Sequence, residues 1–151
     1  MIDIVVTTPY HESENSASEA RQCIEDGGGF YFRRVPFIPK GAGVGSRLFY
    51  VERGFITGYA VVCEIANLRH GEEPTCATTG RTWPPGFYLI ADATTWKWIH
   101  PILMRGFQGV RRLHPGCGFG IVEVGGWKDP RPKTPARLKW NGLFPSHVNC
   151  R

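Results

Sequence analysis

The chain has 151 residues, a length that suits one domain able to bury its own core without metal or disulfide staples. Nineteen glycines and twelve prolines beside 42% apolar residues argue for many short segments joined by sharp turns, which disfavours a helical bundle and favours a β-rich fold. The formal charge is +5, and all of the excess sits in residues 127–151, where Lys128, Arg131, Lys133, Arg137, Lys139 and Arg151 meet one acid, Asp129.

Such a segment attracts a polyanion over about a Debye length, roughly 8–10 Å at ordinary ionic strength; the plainer alternative is a basic tail that only aids solubility. Five cysteines (Cys23, Cys63, Cys76, Cys117, Cys150) form no C-x-x-C pair, so reduced thiols of a cytoplasmic protein are expected, not a disulfide framework or structural zinc. The first residues lack the basic region of a signal peptide, and no window approaches the ~20 apolar residues of a membrane helix.

Ile2 to Thr7 is a β-branched run that predicts a first strand. A helix is expected next: Ser16 to Glu19 has capping-box spacing, Ala17, Ala20, Cys23 and Ile24 recur at helical intervals, and Gly27 to Gly29 supply a stop. Phe30 to Val35 reads as a strand, followed by a loop marked by Pro36, Pro39 and glycines 41, 43 and 45. Arg47–Glu52 and Phe55–Ile65 flank Arg53-Gly54, the pattern of a tight β-hairpin, and Gly58 within the second run suggests a bulge. Residues 70–86 are polar and lack an apolar period, so a long loop is predicted before a strand at Gly86–Asp92. Phe119–Val124 reads as the last strand, with no βαβ alternation anywhere. The fold expected is α+β and mainly β: a single antiparallel β-barrel or half-barrel over residues 1–126, with one or two helices, and an extended Pro-rich arm over 127–151.

Thr95 to Arg112 is the most informative stretch. It interleaves Trp96, Trp98 and Phe107 with Lys97, Arg105, Arg111 and Arg112 and adds the amide of Gln108. Flat rings, cations and an amide together are the chemistry of a surface that stacks on bases, reads their edges and holds phosphates. The alternative is that the three aromatics fill the core with solvated cations between them. Trp96 and Trp98 are two apart, which puts both on one face of an extended segment.

Arg34, Gly43-Val-Gly-Ser-Arg-Leu-Phe-Tyr, Gly54-x-x-x-Gly58-Tyr-Ala-Val-Val, Trp98-Ile-x-Pro101 and Gly106-Phe-Gln-Gly-Val-Arg111 together resemble the PUA-like superfamily, nearest to its ASCH branch, over roughly residues 17–124. Ser46 stands where that family typically has Asp. The resemblance implies a β-barrel-like sheet with helices at its ends and a cleft that binds RNA or modified bases. Some ASCH proteins hydrolyse amides of modified nucleosides through a Gly-x-Lys-Thr-x-Glu-x-Arg signature. Here that signature falls at Gly27, Gly29, Phe30, Phe32 and Arg34, so glycine replaces the Lys and phenylalanine replaces both Thr and Glu. Neither glycine nor phenylalanine supplies a nucleophile or a base, which argues against that mechanism.

Other chemistry is scattered. His11, His70, His100, His114 and His147 form no metal or catalytic pattern, Cys76 is a lone loop thiol, and Gly41–Gly45 leads into a strand and lacks the helix N-terminus of a phosphate loop. No cofactor or metal is expected. The resulting expectation is a binding module that holds a base of single-stranded or modified nucleic acid, or a nucleotide, in a cleft of Arg34, Lys40, Trp96, Trp98, Phe107 and Gln108. Arg105, Arg111, Arg112, Lys133 and Arg137 hold phosphates. A small hydrolase or transferase in the same cleft, testable at Glu64 and Asp92, is the alternative, and an arm that mediates protein contacts is a third.

Overall fold

The computed structural model describes residues 2–8, 16–25, 29–75, 80–113 and 120–125. Within these ranges the side chains of Ser16, Glu19 and Tyr31 are not described. The predicted arm with Lys133 and Arg137, together with His11, Cys76, Cys117 and Phe119, lies outside the described residues.

The chain order is β1 (Asp3–Thr7), α1 (Ser16–Glu25), β2 (Phe30–Val35), β3 (Arg47–Glu52), β4 (Phe55–Leu68), β5 (Gly86–Leu103), β6 (Val110–Leu113) and β7 (Glu123–Val124). The fold is mainly β: one curled half-barrel sheet with one short helix. Strands run β2-β5-β4-β3-β1-β6 across the sheet, and β7 adds to β5. All described pairs are antiparallel except β1 with β3, where Ile4 aligns with Leu48 and Val6 with Tyr50. The sheet is therefore mixed, not wholly antiparallel as the turn-rich sequence suggested. The long connection from β1 through α1 and β2 to β3 gives the chain room to return in the same direction.

The β3–β4 hairpin turns on Arg53 and Gly54 with φ of 50° and 86°, the left-handed pair of a tight primed turn. Curling comes from β4 and β5. Their register slips between Ile56 and Gly58, between Tyr59 and Val61, and between Val62 and Glu64. Pro101 falls in the first slip, between the Gly58–Trp98 and Ile56–Ile102 pairs, so β5 continues through Pro101 to Leu103. A proline is tolerated where the ladder is interrupted, because its missing N–H leaves no carbonyl unanswered.

Period-two alternation places apolar residues on both faces. Ile4, Val6, Leu48, Tyr50, Val62, Leu89, Ala91 and Val110 form one core with Ala17 and Ala20 of α1. Val5, Phe49, Val51, Ile56, Tyr59, Ile99 and Met104 form a second core on the opposite face. The residues that follow edge strand β2 and precede edge strand β6 meet along a seam. Pro36, just after β2, contacts Gly109, just before β6, at 3.3 Å from where a Cβ on that glycine would stand. Among the described residues, no helix is long and apolar enough to cross a membrane.

Candidate functional site

Trp96 and Trp98 share the face that α1 covers, as their spacing requires, but that face is closed. They are 4% and 1% exposed and sit in the α1-side core. Their ring centroids lie 5.5 Å apart in an edge-to-face contact, and Tyr50 lies 5.7 Å from Trp96. A Cβ on Gly58 would stand 2.6 Å from Trp96 Cζ2 and 2.4 Å from the Lys97 carbonyl, so β4 needs a glycine for the indole to fit. Among the described residues neither indole N–H has a hydrogen-bond partner, and apolar packing seats both rings. Of the two roles the sequence allowed them, the tryptophans take core packing and present no open ring face to a ligand.

Arg33 and Arg34 diverge, because adjacent strand residues point to opposite faces. Arg34 lies away from Trp96 and Trp98: its Nε donates to the Pro85 carbonyl at 3.2 Å, and a Cβ on Gly86 would lie 3.0 Å from that Nε. On the same side Phe32 meets Tyr88 and Trp83 edge-on at 5.6 and 6.2 Å. The Arg81 guanidinium caps Trp83 at 4.3 Å. The polar run over 70–86 is thus pinned to the sheet by Trp83. Sequence reading passed over this residue, although a lone large aromatic in a polar segment was the available signal.

Arg33 crosses the seam instead, and its Nη2 donates to the Thr7 carbonyl. Thr7 joins three elements there. Its Oγ1 accepts the Phe107 N–H at 3.0 Å, and its methyl stands 3.1 Å from where a Cβ on Gly106 would be. The Phe107 ring packs partly into the core opposite α1, and the Arg111 guanidinium lies 4.2 Å from its centroid. Arg105 and Gln108, beside Phe107 in the chain, are exposed; Arg112, also exposed, points to the opposite face of β6 from Arg111, since it pairs with Ile4 of the α1-side core whereas Arg111 pairs with Val5 of the other core. Lys40, also exposed, precedes Gly41, whose Cβ position is 3.3 Å from Ile2 and 3.8 Å from Arg112 Nη2. The structure therefore brings Phe107 and Arg111 together, keeps Arg105 and Gln108 exposed next to Phe107 in the chain, sets Arg112 and the turn after Lys40 on the other face of the same edge, and leaves out Arg34, Trp96 and Trp98. No ion pair joins Lys40, Arg105, Arg111 or Arg112 to a described carboxylate.

The opposite situation holds around β7. Arg47 makes a bidentate pair with Asp3 at 3.0 and 2.6 Å and lies 5.2 Å over Phe49 and 5.4 Å over Tyr59. The Tyr59 hydroxyl donates to Glu123. Burial first, and then the Glu123 carboxylate, push the Tyr59 phenol up to about 12. These charges are spent on fastening β1, β3, β4 and β7 together.

Asp92 accepts from Thr94 N–H and Oγ1–H at 2.9 and 2.6 Å and so shapes a turn, while Glu64 is exposed. His70 pairs with Glu73 at 3.0 Å on the surface, and burial pushes the Cys63 thiol up. Among the described residues, no group of three or more His, Cys, Asp or Glu side chains is placed to hold a metal ion. Compared with known proteins, the chain matches no family model, no curated protein and no solved structure.

Proposed function

We propose that this chain is a PUA-like, ASCH-related module that binds single-stranded nucleic acid or a nucleotide along the β6 edge and the seam beside it. The observation that carries the reading is the set of cations Lys40, Arg105, Arg111 and Arg112 around the β6 edge, Arg111 on one face of β6 and Arg112 on the other, which have no carboxylate partner among the described residues and lie close in the chain or in space to Phe107 and Gln108. Cations that a fold does not neutralise internally are available to phosphates, and Gln108 offers a donor and an acceptor to a base edge. The basic arm, with Lys133 and Arg137, adds to the same field. In this reading Trp96 and Trp98 fill the α1-side core and do not stack on the base.

Filter-binding titrations against single-stranded RNA and DNA at two salt concentrations test it. Four phosphate contacts predict log Kd rising against log salt with a slope of about 3 for a single strand, on the order of 0.7 per contact. Absence of affinity at low salt, or affinity indifferent to salt, overturns the proposal.

A further inference from the structure

The Arg111–Phe107 stack differs from every other exposed cation on the rim in being held by a side chain that is itself anchored. Phe107 is fixed at its backbone by the Thr7 hydroxyl at 3.0 Å. The preceding Gly106 fits closely against the Thr7 methyl, and the following turn runs through Gly109 at φ 83° with Pro36 against it. The ring then packs into the core opposite α1, and the guanidinium lies on it at 4.2 Å. A ring so occupied has little surface left for a base; its position suits it to hold Arg111. The guanidinium is planar, weakly hydrated and able to stack on an aromatic ring while its edge donors stay available for a pair of acceptors. No described carboxylate takes those donors.

We infer that Phe107 is a positioning residue for Arg111, and that the rim thereby selects ligands presenting two coplanar acceptors to one guanidinium, beyond any attraction of charge. The inference rests on the binding reading above and assigns it a specific contact. Two chemical sources present such a pair: two oxygens of one phosphate, and the O6/N7 edge of an unpaired guanine. An ammonium in the same place satisfies neither geometry, although it carries the same charge.

The experiment compares Arg111→Lys, Phe107→Leu, Phe107→Tyr and Arg105→Lys in the full chain, with fluorescently labelled oligo-dG, oligo-dT and an abasic oligonucleotide as probes. Circular dichroism melting confirms that each variant folds. Arg111→Lys is expected to weaken binding about tenfold with an unchanged salt slope, because charge is kept and the bidentate contact is lost. Phe107→Leu is expected to weaken it several-fold, also at constant slope, and Phe107→Tyr, which keeps the ring, to restore it. Arg105→Lys, whose guanidinium no described ring holds, is expected to keep the salt slope and to lose clearly less affinity than Arg111→Lys. A loss on Arg111→Lys confined to oligo-dG identifies the guanine edge as the ligand, and a loss that persists on the abasic strand identifies phosphate. Parent-like binding by both Arg111→Lys and Phe107→Leu overturns the inference while leaving the binding reading intact. No binding of any probe by the parent overturns both.

Discussion

Residues 95–103 and residues 104–113 carry the same mixture of aromatic and basic side chains, yet they fold into opposite environments. The first set is the second half of β5, in the middle of the sheet between β4 and β7, where alternation leaves no choice: Trp96 and Trp98 enter the α1-side core while Lys97 points away and stays exposed. The second set runs to the sheet edge and forms β6, paired only to β1 among the described strands, so its arginines remain at the surface and its one phenylalanine becomes a support. Position in the sheet, not composition, decides whether an aromatic–basic stretch packs a core or stays at the surface. A central strand spends its aromatics on stability, and an edge strand can offer its cations to a partner.

The largest effect expected from this contrast lies in the core half. Trp98→Ala removes the largest fully buried side chain and is expected to cost about 3–5 kcal/mol in denaturant unfolding, with oligonucleotide affinity of the folded protein unchanged. Gly58→Ala places a methyl against the Lys97 carbonyl and the Trp96 ring and is expected to cost about 1–3 kcal/mol, visible as a lower melting temperature. On the edge half, Arg105→Ala with Arg112→Ala is expected to leave stability within about 0.5 kcal/mol while reducing the salt slope of binding by about 0.7 per cation. If instead Trp98→Ala weakens binding and the arginine pair does not, the division of labour is reversed.

The mildest effect concerns the contact by which Tyr59 of β4 holds Glu123 of β7. Tyr59 has its pKa raised in the folded state, chiefly by burial, from an ordinary phenol value of 10.0 to about 12. Its stabilising contribution is therefore complete below pH 10 and is lost as pH rises through 12, because the unfolded phenol ionises first. Unfolding free energy should fall across that alkaline window in the parent and fall less in Tyr59→Phe, as measured by urea titrations at stepped pH.

Much of the local architecture was legible in the residues. Arg53-Gly54 between two β-rich runs specified the hairpin, the Ser16 cap spacing specified where α1 begins, and Gly58 announced a register slip at the position where Trp96 leaves no room for a side chain. What could not be read depends on partners far along the chain. The strand expected at Gly86–Asp92 runs on through Pro101 to Leu103, and a proline is tolerated there only because of a slip in the β4–β5 ladder. Val110–Leu113 is a strand only because β1 lies beside it, and two arginines in four residues carry no β signal of their own. The site was half visible for the same reason. Phe107, Gln108, Arg105 and Arg111 are neighbours in sequence and remain so in space, whereas the placement of Arg34 and of the two tryptophans depended on which face of each strand closes over a core. The parallel pairing of β1 with β3 left no mark in either strand's composition.

The Thr7–Phe107 hydrogen bond links residues 100 positions apart, and β1 meets β6 only after the hairpin and the long β5 have been laid down. Contacts at such separation form late, because closing a long loop of chain is entropically slow. During synthesis β1 has β3 as an early partner but must wait for residues 110–113 before its other edge is shielded, which leaves an unpaired strand at risk of misassociation. The rim that carries Arg105, Phe107 and Arg111 is thus completed after every other described strand except the two-residue β7, and a nascent chain acquires this edge only when the β3–β4 hairpin and β5 are already made.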